Sequence, residues 1–474
     1  MTFSSLSYLL FLPAVYFILY FLGDRTRWCL LLVSSFFFYA ALKVPSLLIV
    51  LTAVITITYL IGFRLASEYD ERTRKCFFWG GVGTNVLILA FSKYLPFLSN
   101  HWESDSGFAF LSGTRWVSIG VSYYVFQAIS YLTDLYLEIE KPERHFGYFA
   151  LYMAFFPKLL QGPIERSGDL LPQLKQPYRF DYENMRAGLL LFAWGLFKKV
   201  VIADRLGSRV DLVYNDVHAY SGFLQLLATY LYAFQIYWDF SGYTDMALGS
   251  AQLYNIRLRQ NFNSPYLATS VSDFWRRWHI SFSSWILDYI FKPLQMQWRD
   301  LRTWGTVLAL LVTFLVSGIW HGASWGFVIW GFLHGVYLSS AVLFQPWQKK
   351  IAKRNKYDKT LAAKILRIFI TFHLVSFAWI FFRANSLGDA FYIVRSIACD
   401  LFQVPNPVMV KMFAVGLICV AFIYSFDVFR GNRTIVDLVF ARGSLVRWLF
   451  YYGLVVVIFV LGLFAQSRFI YFQF

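Results

Sequence analysis

Of the seven histidines in the chain, one stands in a stretch built around it. His321 lies in Ser317-Gly318-Ile319-Trp320-His321-Gly322-Ala323-Ser324-Trp325-Gly326. Gly318, Gly322 and Gly326 are four apart, so on a helix they share a face and allow close approach by another helix. Room is left beside the imidazole, and Trp320 and Trp325 can wall it and keep it dry. A neutral imidazole in such a place can serve as a general base near pH 7. The same pattern suits a helix-packing motif with a hydrogen-bonded histidine, and from this stretch alone both readings stand.

His279 lies in Asp273-Phe274-Trp275-Arg276-Arg277-Trp278-His279. On a helix, Trp275 and His279 share a face. The segment reads as an amphipathic interfacial helix, or as a mouth where Arg276 or Arg277 meets a phosphate-bearing donor. His334 is thirteen residues beyond His321; on one helix the two would point well apart, so it reads as a supporting or structural residue. His101, His145 and His218 fall in loops or at their edges, and His373 reads as packing in an apolar run without polar company. Asp239 and Asp245 sit near the end of an apolar run. Asp239 is expected to be buried and paired with an arginine or histidine, and Asp245 to cap a helix. Their spacing of six argues against a carboxylate dyad. No zinc, P-loop, nucleophile-elbow or dinucleotide motif stands in a suitable context, so neither metal nor ATP hydrolysis is expected.

The elements that position these residues follow from composition. The chain has 474 residues, 58% hydrophobic and 15% charged, with 51 Phe, 31 Tyr and 17 Trp. Soluble proteins carry about 25% charged residues, and disorder needs low hydrophobicity. An all-α polytopic membrane protein remains. Apolar runs near 6–22, 27–41, 45–64, 76–97, 116–136, 185–203, 222–240, 303–320, 324–344, 366–383, 407–427 and 447–466 predict about twelve transmembrane helices. The first run lacks the basic flank and cleavage site of a signal peptide and is read as a retained span. The run 146–160, broken by Pro157, reads as re-entrant or interfacial. The four cysteines form no C-x-x-C pair and are expected as small hydrophobes in packed helices.

The net charge of +16 resides mainly in short connections, which fits cytoplasmic loops rather than nucleic-acid binding. Gln348 to Arg367 holds eight basic residues and one acidic one and is placed in the cytoplasm. Counting spans outward puts both termini outside. The whole chain reads as one membrane domain. Within it, 256–302 is expected to dip into the bundle from the cytoplasm carrying His279, and 303–344 to form a helical hairpin with His321.

The motifs in order resemble a known family. Gly120 to Tyr131, Phe156 to Ile164, Phe197 to Asp204, Tyr237 to Asp245, Asn261 to Tyr266, Asp273 to Ser281, Gly318-Ile319-Trp320-His321-Gly322 and Phe469 to Phe474 are similar to membrane-bound O-acyltransferases of the bacterial alginate O-acetyltransferase type. The resemblance implies a bundle around a central tunnel or funnel, with His321 essential within it and His279 supporting. It implies no bound cofactor, acetyl-CoA or another cytoplasmic acyl thioester as donor, and a bacterial inner-membrane location. It implies a periplasmic or cell-surface partner of the SGNH-hydrolase type, which esterifies a polysaccharide such as peptidoglycan, alginate or cellulose. The bottom-up reading adds Arg276, Arg277, Asp239, Trp320 and Trp325 as lining or donor-contact residues, and membrane lipids as surroundings. One departure stands: Pro293-Leu294 is not followed by Gly-Gly, which counts against alginate as the glycan. The competing readings are D-alanyl transfer to teichoic acids, a proton-coupled transporter and a lipid acyltransferase.

Overall fold

A computed structural model describes residues 1–474 apart from 24, 68, 69, 103–118, 348, 349, 351–359, 404–406, 432 and 465–474. The last segment of the resemblance, Phe469 to Phe474, and most of the basic stretch 348–359 lie outside the described residues. Among those described, the chain is helical and contains no strand. In chain order the helices are α1 (Leu6–Phe21), α2 (Arg27–Ala40), α3 (Pro45–Leu65), α4 (Glu71–Trp102), α5 (Val121–Tyr136), α6 (Phe146–Ala154), α7 (Phe156–Leu159), α8 (Ser167–Lys175) and α9 (Tyr182–Phe197). There follow α10 (Asp204–Tyr214), α11 (Gly222–Gln252), α12 (Val271–Trp275), α13 (Ile280–Ile286), α14 (Lys292–Gln297), α15 (Thr303–His321) and α16 (Trp325–Leu343). The chain closes with α17 (Leu361–Arg383), α18 (Leu387–Cys399), α19 (Pro407–Arg430), α20 (Ile435–Phe440) and α21 (Ser444–Leu461).

Among the described residues each of the twelve apolar runs falls on a helix, and seven of these helices, α3, α4, α15, α16, α17, α19 and α21, are long and apolar enough to cross a bilayer. α1 and α2 are apolar but have only 16 and 14 residues. α21 shows how such a helix meets lipid: only Leu454 and Ile458 are buried, while Leu449, Tyr452, Val456 and Phe459 point outward. A helix apolar all round needs an apolar solvent. All four cysteines are free and exposed rather than packed inside.

The chain forms two compact units: Met1–Leu196 with Gly242–Gln260, and Phe197–Ser241 with Asn261–Phe474. In the first, α6 and α7 are separated by Phe155. There Tyr8 Oη donates to Ser250 Oγ at 2.9 Å, and a Cβ on Gly195 would lie 2.5 Å from the Gly242 carbonyl.

The second unit holds the hairpin of α15 and α16. A Cβ on Gly318 would lie 2.4 Å from the Phe327 carbonyl, and one on Gly331 would lie 2.3 Å from the Phe314 carbonyl. Side chains there would force the helices apart. The expected shared face of Gly318, Gly322 and Gly326 is not formed, because α15 ends at His321 and the chain turns at Gly322 before Ser324 caps α16 by accepting from Gly326 N. Gly318 therefore pairs with the second arm, whereas Gly326 abuts the Phe381 carbonyl of α17.

The segment 256–302 is not one amphipathic helix. α12 has five residues, and His279 then takes φ +43°, in the left-handed region, before α13 begins. A paired loop holds this break: Ile280 N donates to the Asn261 carbonyl at 3.0 Å, Ser281 N to Asn261 Oδ1 at 3.1 Å, and Asn263 N to the Arg277 carbonyl at 3.0 Å. Trp275 and His279 consequently do not share a helical face. α11 also runs past 240 to Gln252, so Asp245 is inside a helix and caps nothing.

Gly331→Leu is expected to destabilise the protein by about 1–3 kcal/mol, the usual cost of overpacking. A thermal-unfolding midpoint in detergent should fall clearly below wild type; an unchanged midpoint would refute the close-approach account.

Candidate active site

His321 is the last residue of α15 and is 4% exposed. Four aromatic rings from the second unit surround it closely or edge-on. Ring centroids lie at 4.4 Å for Trp320, 4.9 Å for Trp330, 5.0 Å for Phe382 and 6.1 Å for Phe327. Trp330 stands perpendicular to the imidazole, at 89°. Phe282 of α13 is 6.5 Å away and stacks on Trp320 at 4.5 Å. The imidazole is thus enclosed by aromatic surface contributed by α13, α15, α16 and α17. Trp320 walls it as expected. Trp325 does not: it begins α16 and is 70% exposed. The second indole wall is Trp330, five residues further on, because the turn at Gly322 carries Trp325 away and brings the next turn of α16 back.

His279 is buried, with its ring 4.7 Å edge-on from Phe240 and 5.1 Å from Phe282. Phe282 therefore lies between the two candidate histidines. Burial pushes the His279 imidazole down to about 3, so it is neutral at any physiological pH.

His334 and His321 stand on different arms of the hairpin, not on one helix. Both rings pack on Trp330, His334 at 5.1 Å. The Trp275 indole N–H donates to His334 Nδ1 at 3.2 Å. His373 does have polar company: its Nδ1 reaches the Phe369 carbonyl at 2.7 Å and its Nε2 the Tyr230 hydroxyl at 2.9 Å. A carbonyl only accepts, so Nδ1 carries the proton and Nε2 accepts from Tyr230.

Asp239 is buried and paired, but with a lysine. Lys199 Nζ lies 2.5 Å from Asp239 Oδ1 and 2.8 Å from Asp204 Oδ1, with all three side chains buried. Lys199 sits in a π-helical turn, Lys198–Ala203, at the junction with α10. Such turns are often functional, and this one brings Lys199 to both carboxylates. Sequence reasoning passed over this residue, although a lysine within an apolar run is itself a signal.

Arg276 and Arg277 separate. Arg277 Nε donates to Asp273 Oδ1 at 2.9 Å. Arg276 is exposed, leans on Ser272, and borders a cavity of about 1030 Å³. Residues of 269–291, of α15, α16 and α17, and Phe344 and Gln345 line that cavity, among them Trp275, Phe314 and Arg367; among the described residues that line it there is no carboxylate. Trp275 thus touches the cavity on one side and His334 on the other.

The first unit contains a separate buried polar cluster. Lys158 Nζ donates to Gln127 Oε1 at 2.6 Å, Gln127 Nε2 donates to the Glu165 carbonyl at 3.2 Å, and Arg259 N donates to Glu165 Oε1 at 2.7 Å. Burial pushes the Lys158 ammonium down to about 7 and the Glu165 carboxyl up to about 7.

The profile of the MBOAT, membrane-bound O-acyltransferase family, matches residues 86–382, which include His279 and His321. The chain belongs to this family. A peptidoglycan O-acetyltransferase of Helicobacter pylori is 33% identical over 395 residues, covering 77% of this chain and 73% of the relative. A probable alginate O-acetylase of Azotobacter vinelandii is 35% identical, covering 82% and 76%. A teichoic acid D-alanyltransferase of Bacillus subtilis is 28% identical, covering 67% and 80%. This membrane-bound O-acyltransferase is accordingly an acyl-transferring enzyme, multi-pass in the membrane. Among its described residues no group of three His, Cys, Asp or Glu converges on a metal-sized site.

Lys199→Met leaves two buried carboxylates without their cation. Removing one partner of a buried ion pair typically costs about 3–5 kcal/mol. The variant should lose folded protein in membranes, and adding Asp239→Asn should recover part of it; no loss in the single variant would refute the triad.

The His279 shift gives a pH dependence with a definite sign. Its folded pKa lies below the unfolded value of about 6.5, so the unfolded state binds the extra proton first. Its contribution is intact above pH 6.5 and is lost as pH falls from there towards 3. The unfolding midpoint of wild type should drop over that window more steeply than that of His279→Gln; parallel curves would contradict this.

Proposed function

We propose that this O-acyltransferase moves an acetyl group from a cytoplasmic thioester, acetyl-CoA or another carrier, across the inner membrane for O-acetylation of an extracytoplasmic polysaccharide. The observation that carries the reading is the enclosure of His321: a buried imidazole at a hairpin turn, walled by four aromatic rings. A dry site strengthens every charge interaction within it and keeps water from intercepting the acyl group.

His321 takes the proton of an accepting hydroxyl as that oxygen bonds to the acyl carbon. The C–S bond then breaks, and the sulfur leaves as the thiol with the proton that His321 held. Transient acylation of His321 is the variant in which the imidazole itself is the first acceptor. His279 supports through Phe282, which both rings approach. The cavity with Arg276 and Arg367 receives the phosphate-bearing end of the donor, since guanidinium groups bind phosphate and no carboxylate lining the cavity opposes them. On the positive-inside rule, and with the twelve apolar runs all counted as crossings, we take these arginines as cytoplasmic and both termini as outside. On the outer side, an SGNH-hydrolase-type partner completes the ester on the glycan. The relatives named for peptidoglycan and alginate acetylation share more identity and more of this chain than the D-alanyltransferase does, which supports acetyl over D-alanyl as the group moved.

Base-labile acetate on the host's extracytoplasmic glycans tests this reading. It should vanish from one glycan in a deletion strain, and fall by about 10²–10⁴-fold in His321→Ala at matched membrane abundance. Normal ester in His321→Ala would refute the role of His321, and ester-linked D-alanine lost in place of acetate would redirect the donor.

A further inference from the structure

Three buried polar groups on the hairpin that carries His321 have no protein hydrogen-bond partner: Ser317 Oγ, Trp330 Nε1 and His334 Nε2. All three residues are buried, at 1%, 1% and 0% exposure. The protonation of His334 follows from its one hydrogen bond. Trp275 donates to Nδ1, so the neutral ring carries its proton on Nε2 and that atom is a donor. Trp330 Nε1 can only donate. A buried helical serine commonly donates to the carbonyl four residues back, and Ser317 does not, which leaves its hydroxyl proton available.

These donors share one neighbourhood. Trp330 packs against both His321 and His334. Ser317 precedes His321 by one helical turn and so lies on the same face of α15. The close approach of Gly318 to Phe327 and of Gly331 to Phe314 sets residues 314–318 antiparallel to 331–327, which puts Ser317 opposite Val328, about half a turn along α16 from Trp330. Buried polar groups are nearly always satisfied, and a cluster left unsatisfied calls for a reason. Beside a candidate base for acyl transfer, donors without acceptors are the equipment that a developing oxyanion requires.

We infer that Ser317, Trp330 and His334 hold the carbonyl oxygen of the acyl thioester and stabilise it as an oxyanion during transfer. The inference rests on the acyl-transfer reading of His321. The accepting hydroxyl oxygen bonds to the acyl carbon while its proton passes to His321. The carbonyl electron pair moves onto oxygen, where the three donors meet it. Collapse restores the carbonyl, breaks the C–S bond, and returns the proton from His321 to the departing sulfur.

The test is a pulse of labelled acetate to cells, reading the initial rate of base-releasable label on glycans per unit of enzyme in the membrane. Ser317→Ala removes one hydroxyl with little change of shape, and Trp330→Phe removes the indole N–H. Each is expected to slow ester formation by about 10²-fold at unchanged unfolding midpoint, and Ser317→Thr to restore most of the rate. A purely structural role predicts otherwise: deleting an unsatisfied buried donor leaves stability equal or higher and the rate unchanged. A wild-type rate in Ser317→Ala overturns the inference, and it decides alone if Trp330→Phe fails to accumulate. A slowed Ser317→Ala that has also lost stability and is not rescued by threonine overturns it too. His321→Ala run alongside separates the two levels. An inactive His321→Ala with an active Ser317→Ala removes only the donor cluster, whereas an active His321→Ala removes the acyl-transfer reading itself.

Discussion

Where Gly318 and Gly331 face each other, the absence of two side chains sets the spacing of the hairpin that carries His321. A methyl on Gly331 would lie 2.3 Å from the Phe314 carbonyl, so any larger residue must push α15 and α16 apart. At the present spacing Trp330 reaches the imidazole at 4.9 Å and His334 at 5.1 Å. Histidines thirteen residues apart thereby become neighbours of one indole. In the apolar medium around these helices little drives association except packing and hydrogen bonding. The placement of the site therefore depends on a contact that involves no functional side chain.

The same solvent explains the polar architecture. A charge or N–H buried in such a bundle finds its partner within the protein or is costly. Lys199 sits between Asp204 and Asp239, held there by a π turn. His373 has its tautomer set by a carbonyl on one side and a hydroxyl on the other. At the break before α13, Asn261 satisfies the backbone of Ile280 and Ser281, which allows His279 its left-handed conformation without exposing polar backbone. The donors of Ser317, Trp330 and His334, without a protein partner, stand instead along the hairpin whose Trp330 packs on both His321 and His334.

Much of the molecule is legible in its residues alone. Fifty-eight per cent hydrophobic residues with 15% charged ones admit few architectures besides a membrane bundle, and apolar length locates a helix at every run. His321 is legible because glycine and tryptophan around a histidine are informative at short range, and Trp320 follows from adjacency. Three of the expectations that fail share one cause. Trp325 as a wall, the face shared by Gly318, Gly322 and Gly326, and the pairing of Trp275 with His279 each require a helix to continue through residues where the chain turns. Periodicity gives positions around an axis only while the axis continues.

Composition and motif order by themselves determined the solvent, the helical class and the family, and pointed to the histidine that the structure encloses in aromatic rings. These are properties of short segments and of sums over the chain, and they survive ignorance of the turns. Only the tertiary structure decided that Asp239 answers to a lysine, that Arg277 is paired while Arg276 borders the cavity, and that His334 and Trp330 join His321. Each of those depends on residues distant in sequence meeting at a few ångströms, and such meetings are set by the breaks at Gly322 and His279 and by helix spacing, which local pattern does not encode.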